Sequence, residues 1–411
     1  MMKTPHIFAG FGIELEYMIV DQKSLNVRPI ADKVLQQVAG TITNEVKRGT
    51  LGWSNELVLH VIELKTLGPV PTVADLAGLF QDDVRAINAI LAEYGARLLP
   101  TAMHPWMEPA NDSVLWPHGN HEIYETYNRI FDCQGHGWTN LQSTHINLAF
   151  NGDQEFGALH SAIRLLLPIL PAIAASSPVA DGMLTGMRDT RLFHYRRNQR
   201  LIPAIAGMVI PEPVLSKQEY EERILQRIYR DIAPHDPRHI LQYEWLNSRG
   251  AIARFDRNAI EIRLLDVQEC PLADIAIAVL IIEVLKKIAA QTWTKLSAQI
   301  QVNEKRLSEI LTATILNGEQ AVVDDPLYLA CFGLKEPVTA GRLWAFLADE
   351  VQPELNRCPA AVQNALKTIL GKGPLAGRLT SVLNPGFNRE KLAATYRQLS
   401  DCLHQGKLYF D

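Results

Sequence analysis

A chain of 411 residues with 47% hydrophobic side chains can bury a large core, which excludes a disordered chain and suggests two domains or one enlarged enzyme domain. Its formal net charge of −5 supplies no global attraction to nucleic acid or an anionic membrane, so small-molecule partners are expected. Cys133, Cys270, Cys331, Cys358 and Cys402 stand singly, without CxxC pairs, and no export-signal pattern marks the N-terminal stretch; both point to a reducing, cytoplasmic setting.

In chain order, the first 66 residues are strand-like: "GIELEYMIVD" alternates and "NELVLHVIELKT" is rich in β-formers. A helix is predicted over "TVADLAGLFQDDVRAINAILAEYGARL", with Thr72 as a cap and Gly95 as its end, and "ARLLPTAMHP" returns as a strand. Residues 104–140, rich in His, Trp, Gly and Asn, predict a long functional loop with a helical turn near "HEIYETYNRIF". The strand "QSTHINLAF" follows. An apolar helix broken by Pro168 and Pro171 leads into the Arg-rich "GMRDTRLFHYRRNQR", and a charge-mixed helical insert covers about 216–240. "IARFDRNAIEIRLLDV" is a further alternating strand, after which the pattern is almost wholly helical. The apolar runs "LLLPILPAIAA" and "IAIAVLII" are too short to cross a bilayer. Strands first and helices later predict an α+β fold, an antiparallel sheet backed by helices. The change of character sets the expected division at 1–285 and 286–411.

Several signatures are missing. The chain has no GxxxxGK[ST], GxSxG or HExxH, and the "GFG" at 10–12 precedes a strand instead of following one. "CQGH" at 133–136 and "HGNHE" at 118–122 each offer half a zinc site without a second half.

The informative pattern is parity. Side chains two apart share a sheet face. Glu14 and Glu16 therefore point together, opposite Ile13, Leu15 and Tyr17; His145 and Asn147 share a face, as do Glu261 and Arg263. A solvated sheet face would produce the same alternation, but would favour mixed Lys, Thr, Ser and Glu. Clustered carboxylates suit a hard divalent cation such as Mg²⁺, and an arginine beside them suits a transferring phosphoryl group.

Taken in order, "GIELEY", "NELVLHVIELKT", "THINLAF", "SSP…DGMLTGMRDTRLFHY" and "AIEIRLLD" resemble the glutamate–cysteine ligase family, in its type 2 carboxylate–amine ligase branch, and the wider glutamine synthetase-like superfamily. The resemblance spans residues 10–285. It implies a curved antiparallel sheet forming a funnel, with ATP entering one end and two or more Mg²⁺ ions, or Mn²⁺ in their place, on the concave face. Glu14, Glu16, Glu63 and Glu261 would be metal ligands, with Glu56 an additional one, His145 and Asn147 completing the shell. Arg263, with Glu261 and His145, would carry the catalysis. Arg188 and Arg191 would contact substrate carboxylate or phosphate, with Tyr195 nearby. Arg254 and Arg257 could touch nucleotide, as could Trp245, a packed or salt-bridged role being the alternative for each. Glu56 and Glu63 differ by an odd number, so both reach one site only through a bulge or with Glu56 in the preceding turn.

The expected activity is an ATP-dependent ligase joining a carboxylate to an amine, through an acyl phosphate, with amino-acid or other small-molecule substrates. A guanidino-kinase-like phosphotransferase and a non-catalytic nucleotide-binding regulator are the rivals. The apolar C-terminal helices are compatible with a homodimer.

Overall fold

The computed structural model describes residues 5–409. An eight-stranded antiparallel sheet organises it: β1 (Phe11–Asp21), β2 (Glu45–Arg48), β3 (Leu51–Asn55), β4 (Val61–Thr66), β5 (Ala96–Leu99), β6 (Ser143–Ala149), β7 (Ala251–Arg254) and β8 (Ala259–Asp266). The order is β2-β3-β4-β1-β6-β8-β7, and β5 joins β1 on the same edge as β6, each taking one half of that long strand. The sheet is open, and helices back it, so the architecture is α+β as the order of elements predicts.

Alternation decides what each face does. Ile13, Leu15 and Tyr17 of β1, Ile62 and Leu64 of β4, Ile146 and Leu148 of β6, and Ile260 and Ile262 of β8 are all fully or almost fully buried in the main core. The helix Pro271–Ala289 packs in this core against the helices Gly152–Leu166, Leu76–Glu93 and Ala360–Lys372. It is apolar nearly all round because it is enclosed on every side, and Pro271 occupies a first-turn position where its missing N–H costs nothing.

The opposite face changes character along β1. Glu14 and Glu16 are followed in the same parity by Met18 and Val20, which are buried in a second cluster with Leu375, Leu379, Leu383, Leu392, Tyr396 and Leu399. The C-terminal helices Leu375–Leu383 and Arg389–Gln405 thus cover one end of the polar face. Residue 285, the expected domain boundary, lies inside the helix Pro271–Ala289.

Local expectations change at several points: "IARFDRNAIEIRLLDV" is two paired strands, β7 and β8, and the helix predicted with Thr72 as its cap begins at Leu76. "NELVLHVIELKT" is not one strand: β3 ends at Asn55, residues 56–60 turn, and only Val61–Thr66 pairs onward. The helical turn near residue 121 is a full helix, His121–Phe131, with aromatic rings of Tyr127 and Phe131 packed on Trp138. A helix over Ala31–Ala39, absent from the strand-like reading of the first 66 residues, buries Ala31, Val34 and Leu35 and ends at Gly40, whose left-handed φ of 75° suits glycine.

Asp274, in the first turn of Pro271–Ala289, ties that helix to the sheet: its Oδ1 accepts from Thr144 Oγ1 at 2.6 Å and from the Gln268 backbone N–H at 3.0 Å. Burial nevertheless pushes its carboxyl up to about 8. An unfolded aspartate ionises near pH ~4, so between about pH 4 and about pH 8 the folded chain holds a proton that the unfolded chain releases, and this group's contribution to stability falls as pH rises. Asp274→Asn should therefore melt above the wild type at about pH 8, with the advantage shrinking as pH falls and gone only by about pH 4. Equal melting temperatures at both pH values would contradict this.

Candidate active site

The polar face lines a cavity of about 790 Å³. β1 supplies Glu14 and Glu16, β4 Glu63 and Lys65, β6 Ser143, His145 and Asn147, and β8 Glu261 and Arg263; Glu56 enters from the turn after β3. The register sets these neighbours directly: Glu14 stands opposite Lys65 on one side and His145 on the other, Glu16 opposite Glu63, and Asn147 opposite Glu261. Glu56 in the turn resolves its odd spacing from Glu63.

His145 is the hub. Its Nδ1 lies 2.9 Å from Glu14 Oε2 and 3.7 Å from Glu261 Oε1, and its Nε2 lies 2.9 Å from Ser143 Oγ and 3.7 Å from Glu16 Oε1. Burial opposes a charge on this ring, but the Glu14 hydrogen bond and the surrounding carboxylates push it up to about 9. Burial likewise opposes the Glu14 charge. The His145 bond and charge, Lys65, and Asn147 Nδ2 donating at 2.9 Å outweigh it and hold that carboxyl at about 2. Asn147 can reach Glu14 because residue 12 is glycine: a Cβ there would sit 3.1 Å from Asn147 Cβ.

Glu16 Oε2 accepts from the Ser143 backbone N–H at 2.7 Å and faces its hydroxyl at 3.0 Å. Glu63 Oε1 accepts from Ser54 Oγ at 2.7 Å and from Lys65 Nζ at 3.0 Å. The carboxyls of Glu63 and Glu56 are both pushed up, first by burial and then by neighbouring carboxylates: Glu14 and Glu16 act on Glu63, and Glu63 and Glu16 on Glu56. Two sets of ligand atoms lie within 4.8 Å of one another, Glu14 with Glu63 and His145, and Glu16 with Glu56 and Glu63. Oxygen-rich, mutually repelling and buried, this donor set fits a divalent cation of the Mg²⁺ or Mn²⁺ type. Glu63 is common to both sets.

Arg263 is drawn onto Glu261, with Nε and Nη2 at 3.1 and 2.5 Å from Oε1. Burial disfavours its charge, but Glu261 and Tyr195 hold the guanidinium firmly cationic. A register shift between Ile262 and Leu265 adds a residue to β8, so that Asp266, of opposite parity to Glu261, also faces the polar side, opposite Ser143. There it takes Arg191: Nε to Asp266 Oδ1 is 2.5 Å, in a fully buried pair. Arg191 Nη2 has no hydrogen-bond partner among the described residues, and the residue lines the cavity.

The other sequence-predicted residues divide. Tyr195 lines the cavity and donates to the Ser248 carbonyl at 3.0 Å; Arg254, paired with Asp256, and the more exposed Arg257 line it with Trp245. Arg188 does not line it: its stem packs over Gly318, where an added Cβ would meet Arg188 Cγ at 2.9 Å. Of the arginines in 188–200, Arg191 alone among the described residues reaches the cavity: it is the one within the helix Thr190–Tyr195, whereas Arg196 donates to Thr312, Arg197 lies over the Phe193 ring and Arg200 is exposed. Sequence reasoning missed Lys65, Ser143 and Gln199. Lys65 was visible in principle, since it shares parity with Glu63 in "VIELKT"; Ser143 and Gln199 carry no signal of their own.

An open antiparallel sheet with buried carboxylates, one lysine and several arginines on one face defines the class: an α+β protein with an acid-lined, cation-competent cavity. The family model for glutamate-cysteine ligase family 2 (GCS2) matches residues 10–380, and the chain belongs to that family. An uncharacterized protein of Archaeoglobus fulgidus is 32% identical over 398 residues, covering 97% of this chain and 99% of its own. A provisionally named glutamate–cysteine ligase 2-3 of Rubrobacter xylanophilus is 24% identical over 219 residues, 53% of this chain and 55% of that protein. Among solved structures, a glutamate–cysteine ligase of Francisella tularensis in complex with AMP shares the fold, with a TM-score of 0.59 at 14% identity, covering 99% of this chain and 91% of that one.

If the carboxylates act as ligands, Mg²⁺ should raise the melting temperature of the purified chain. Glu63→Gln, which removes the carboxylate common to both sets, should weaken the apparent Mg²⁺ affinity by about 10-fold or more. An unchanged Mg²⁺ response in the variant would remove the assignment.

Proposed function

We propose that this protein is an ATP-dependent carboxylate–amine ligase that forms an amide bond, with a γ-glutamyl product as one candidate. The observation that carries the reading is the pairing of a buried carboxylate cluster with Arg263 on one sheet face, in a member of this ligase family. The AMP complex of the Francisella protein, which has the same fold, supports a nucleotide as the second component.

In this reading the polar face is the concave wall of a funnel with ATP entering at one end. Glu14, Glu16, Glu56 and Glu63, with His145 and Asn147 beside them, would hold Mg²⁺, whose contribution is to neutralise charge on the polyphosphate oxygens. Arg263, steadied by Glu261, faces the transferring phosphoryl group, a role suited to a planar guanidinium. A substrate carboxylate oxygen attacks the γ-phosphorus and ADP leaves. The amine nitrogen then attacks the acyl carbon, phosphate departs with the bridging oxygen, and the amine loses a proton to solution.

Arg191, with Tyr195, would receive an anionic group of the substrate; supporting this, the residue lines the cavity and its buried Nη2 has no hydrogen-bond partner among the described residues. Arg254 and Arg257 would meet the nucleotide. The ligase reading needs no side-chain nucleophile; positioning and charge neutralisation carry the chemistry.

Glu14→Ala and Glu261→Ala should each lower amine-dependent ADP release by about 100-fold or more while the chain stays folded. Phosphate and amide should appear together in the wild-type reaction. Unchanged turnover in both variants would remove the site assignment. A stable phosphorylated product without free phosphate would identify a kinase instead.

A further inference from the structure

Lys65 is the one lysine in the cavity wall among the described residues, and its position is unusual for a simple surface ion pair. Its strand register sets it opposite Glu14, and its Nζ lies 3.0 Å from Glu63 Oε1 and 3.3 Å from Glu45 Oε2. Glu63 is deeply buried, whereas Glu45 sits at the rim on β2, well exposed. The lysine therefore spans from the centre of the carboxylate cluster to its edge.

Glu63 is oversubscribed. Its Oε1 already accepts from Ser54 and Lys65, and the same carboxylate belongs to both candidate ligand sets. An ammonium and a divalent cation on one carboxylate repel each other, so Glu63 cannot serve both at full strength. Arg263 and Arg191 are held on their acids, Glu261 and Asp266, by short hydrogen bonds. Lys65, half-buried on a flexible four-carbon stem with three donors, can change partners, and it is the cavity cation bonded to Glu63 itself.

We propose that Lys65 is a polyphosphate-contacting residue, parked on Glu63 and Glu45 in the ligand-free protein and turned onto phosphate oxygens when Glu63 takes up a divalent cation. The inference rests on the ligase reading above. It assigns the region between β2, β4 and the N-terminal half of β1 to the phosphates of the nucleotide. Glu45 is the holding acid that keeps the ammonium at the cavity wall in either position. A purely structural Lys65 would be a fixed counter-ion of Glu63, indifferent to nucleotide.

The two roles predict different responses to Lys65→Met, read by calorimetry on the full chain. One titration uses Mg²⁺ alone, the other a non-hydrolysable ATP analogue in saturating Mg²⁺. Loss of a competing ammonium should leave Mg²⁺ binding as tight as in the wild type or tighter. Analogue affinity should fall by about 10-fold or more, the scale of one lost charge-assisted contact, and Lys65→Arg should recover most of it. Equal analogue affinity in wild type and Lys65→Met would overturn the proposal and leave the ligase reading intact. A wild type that binds Mg²⁺ but no analogue would overturn both.

Discussion

Charge balance inside a half-buried sheet face is the constraint on which the rest of this structure depends. Glu16, Glu63 and Glu261 are each almost completely buried, and Glu14 and Glu56 stand beside them. Such a group of acids would not stay ionised in a low-dielectric wall without cations supplied by the chain itself. His145 between Glu14, Glu16 and Glu261, Lys65 on Glu63, and Arg263 on Glu261 supply them. Backbone register holds each partner, because residues directly opposite on neighbouring strands have side chains in contact range. The pushed-up carboxyls of Glu56 and Glu63 show that the compensation is incomplete. A divalent cation among these carboxylates, as the ligase reading requires, would relieve that repulsion.

The C-terminal helices belong to the same construction. β1 is long enough to carry acids on its first half and Met18 and Val20 on the second, and the latter need a cover. Leu375–Leu383 and Arg389–Gln405 provide it. A buried ion pair, Arg378 to Glu269 at 2.7 Å, fastens this cover to the segment just after β8, and the Tyr409 carbonyl accepts from the same arginine at 2.8 Å. Breaking one partner of a pair this deep would leave an uncompensated charge, so the attachment is strongly conditional on both residues. The helices thereby cover the apolar half of this face, and the half that carries the acids is left to line the cavity.

Much of this was legible in sequence because a two-residue period is hard to disguise. The parity of Glu14 and Glu16, of His145 and Asn147, and of Glu261 and Arg263 assigned them to one face, and the strands do bring them together. What parity could not show was any departure from a regular strand. Glu56 lies in a turn that the β-rich run "NELVLHVIELKT" conceals, and Asp266 reaches the polar face only through the register shift in β8. The arginine-rich segment misled for a related reason: only Arg191 lies in the short helix Thr190–Tyr195, where it turns inward to Asp266, while Arg188 precedes that helix and packs on Gly318. Lys65 was overlooked because a lysine on a strand reads as solvated, and only the tertiary register places it beside three acids.

The central claim is that a substrate carboxylate is activated by phosphorylation at this site and then captured by an amine. Isotope transfer tests it most directly. Once a screen of carboxylate and amine pairs finds one that releases phosphate, the carboxylate is supplied with both oxygens as ¹⁸O. An acyl phosphate requires one labelled oxygen to leave with each phosphate and the other to stay in the amide carbonyl. Phosphate carrying no label, with ADP formed at the same rate, would contradict the account.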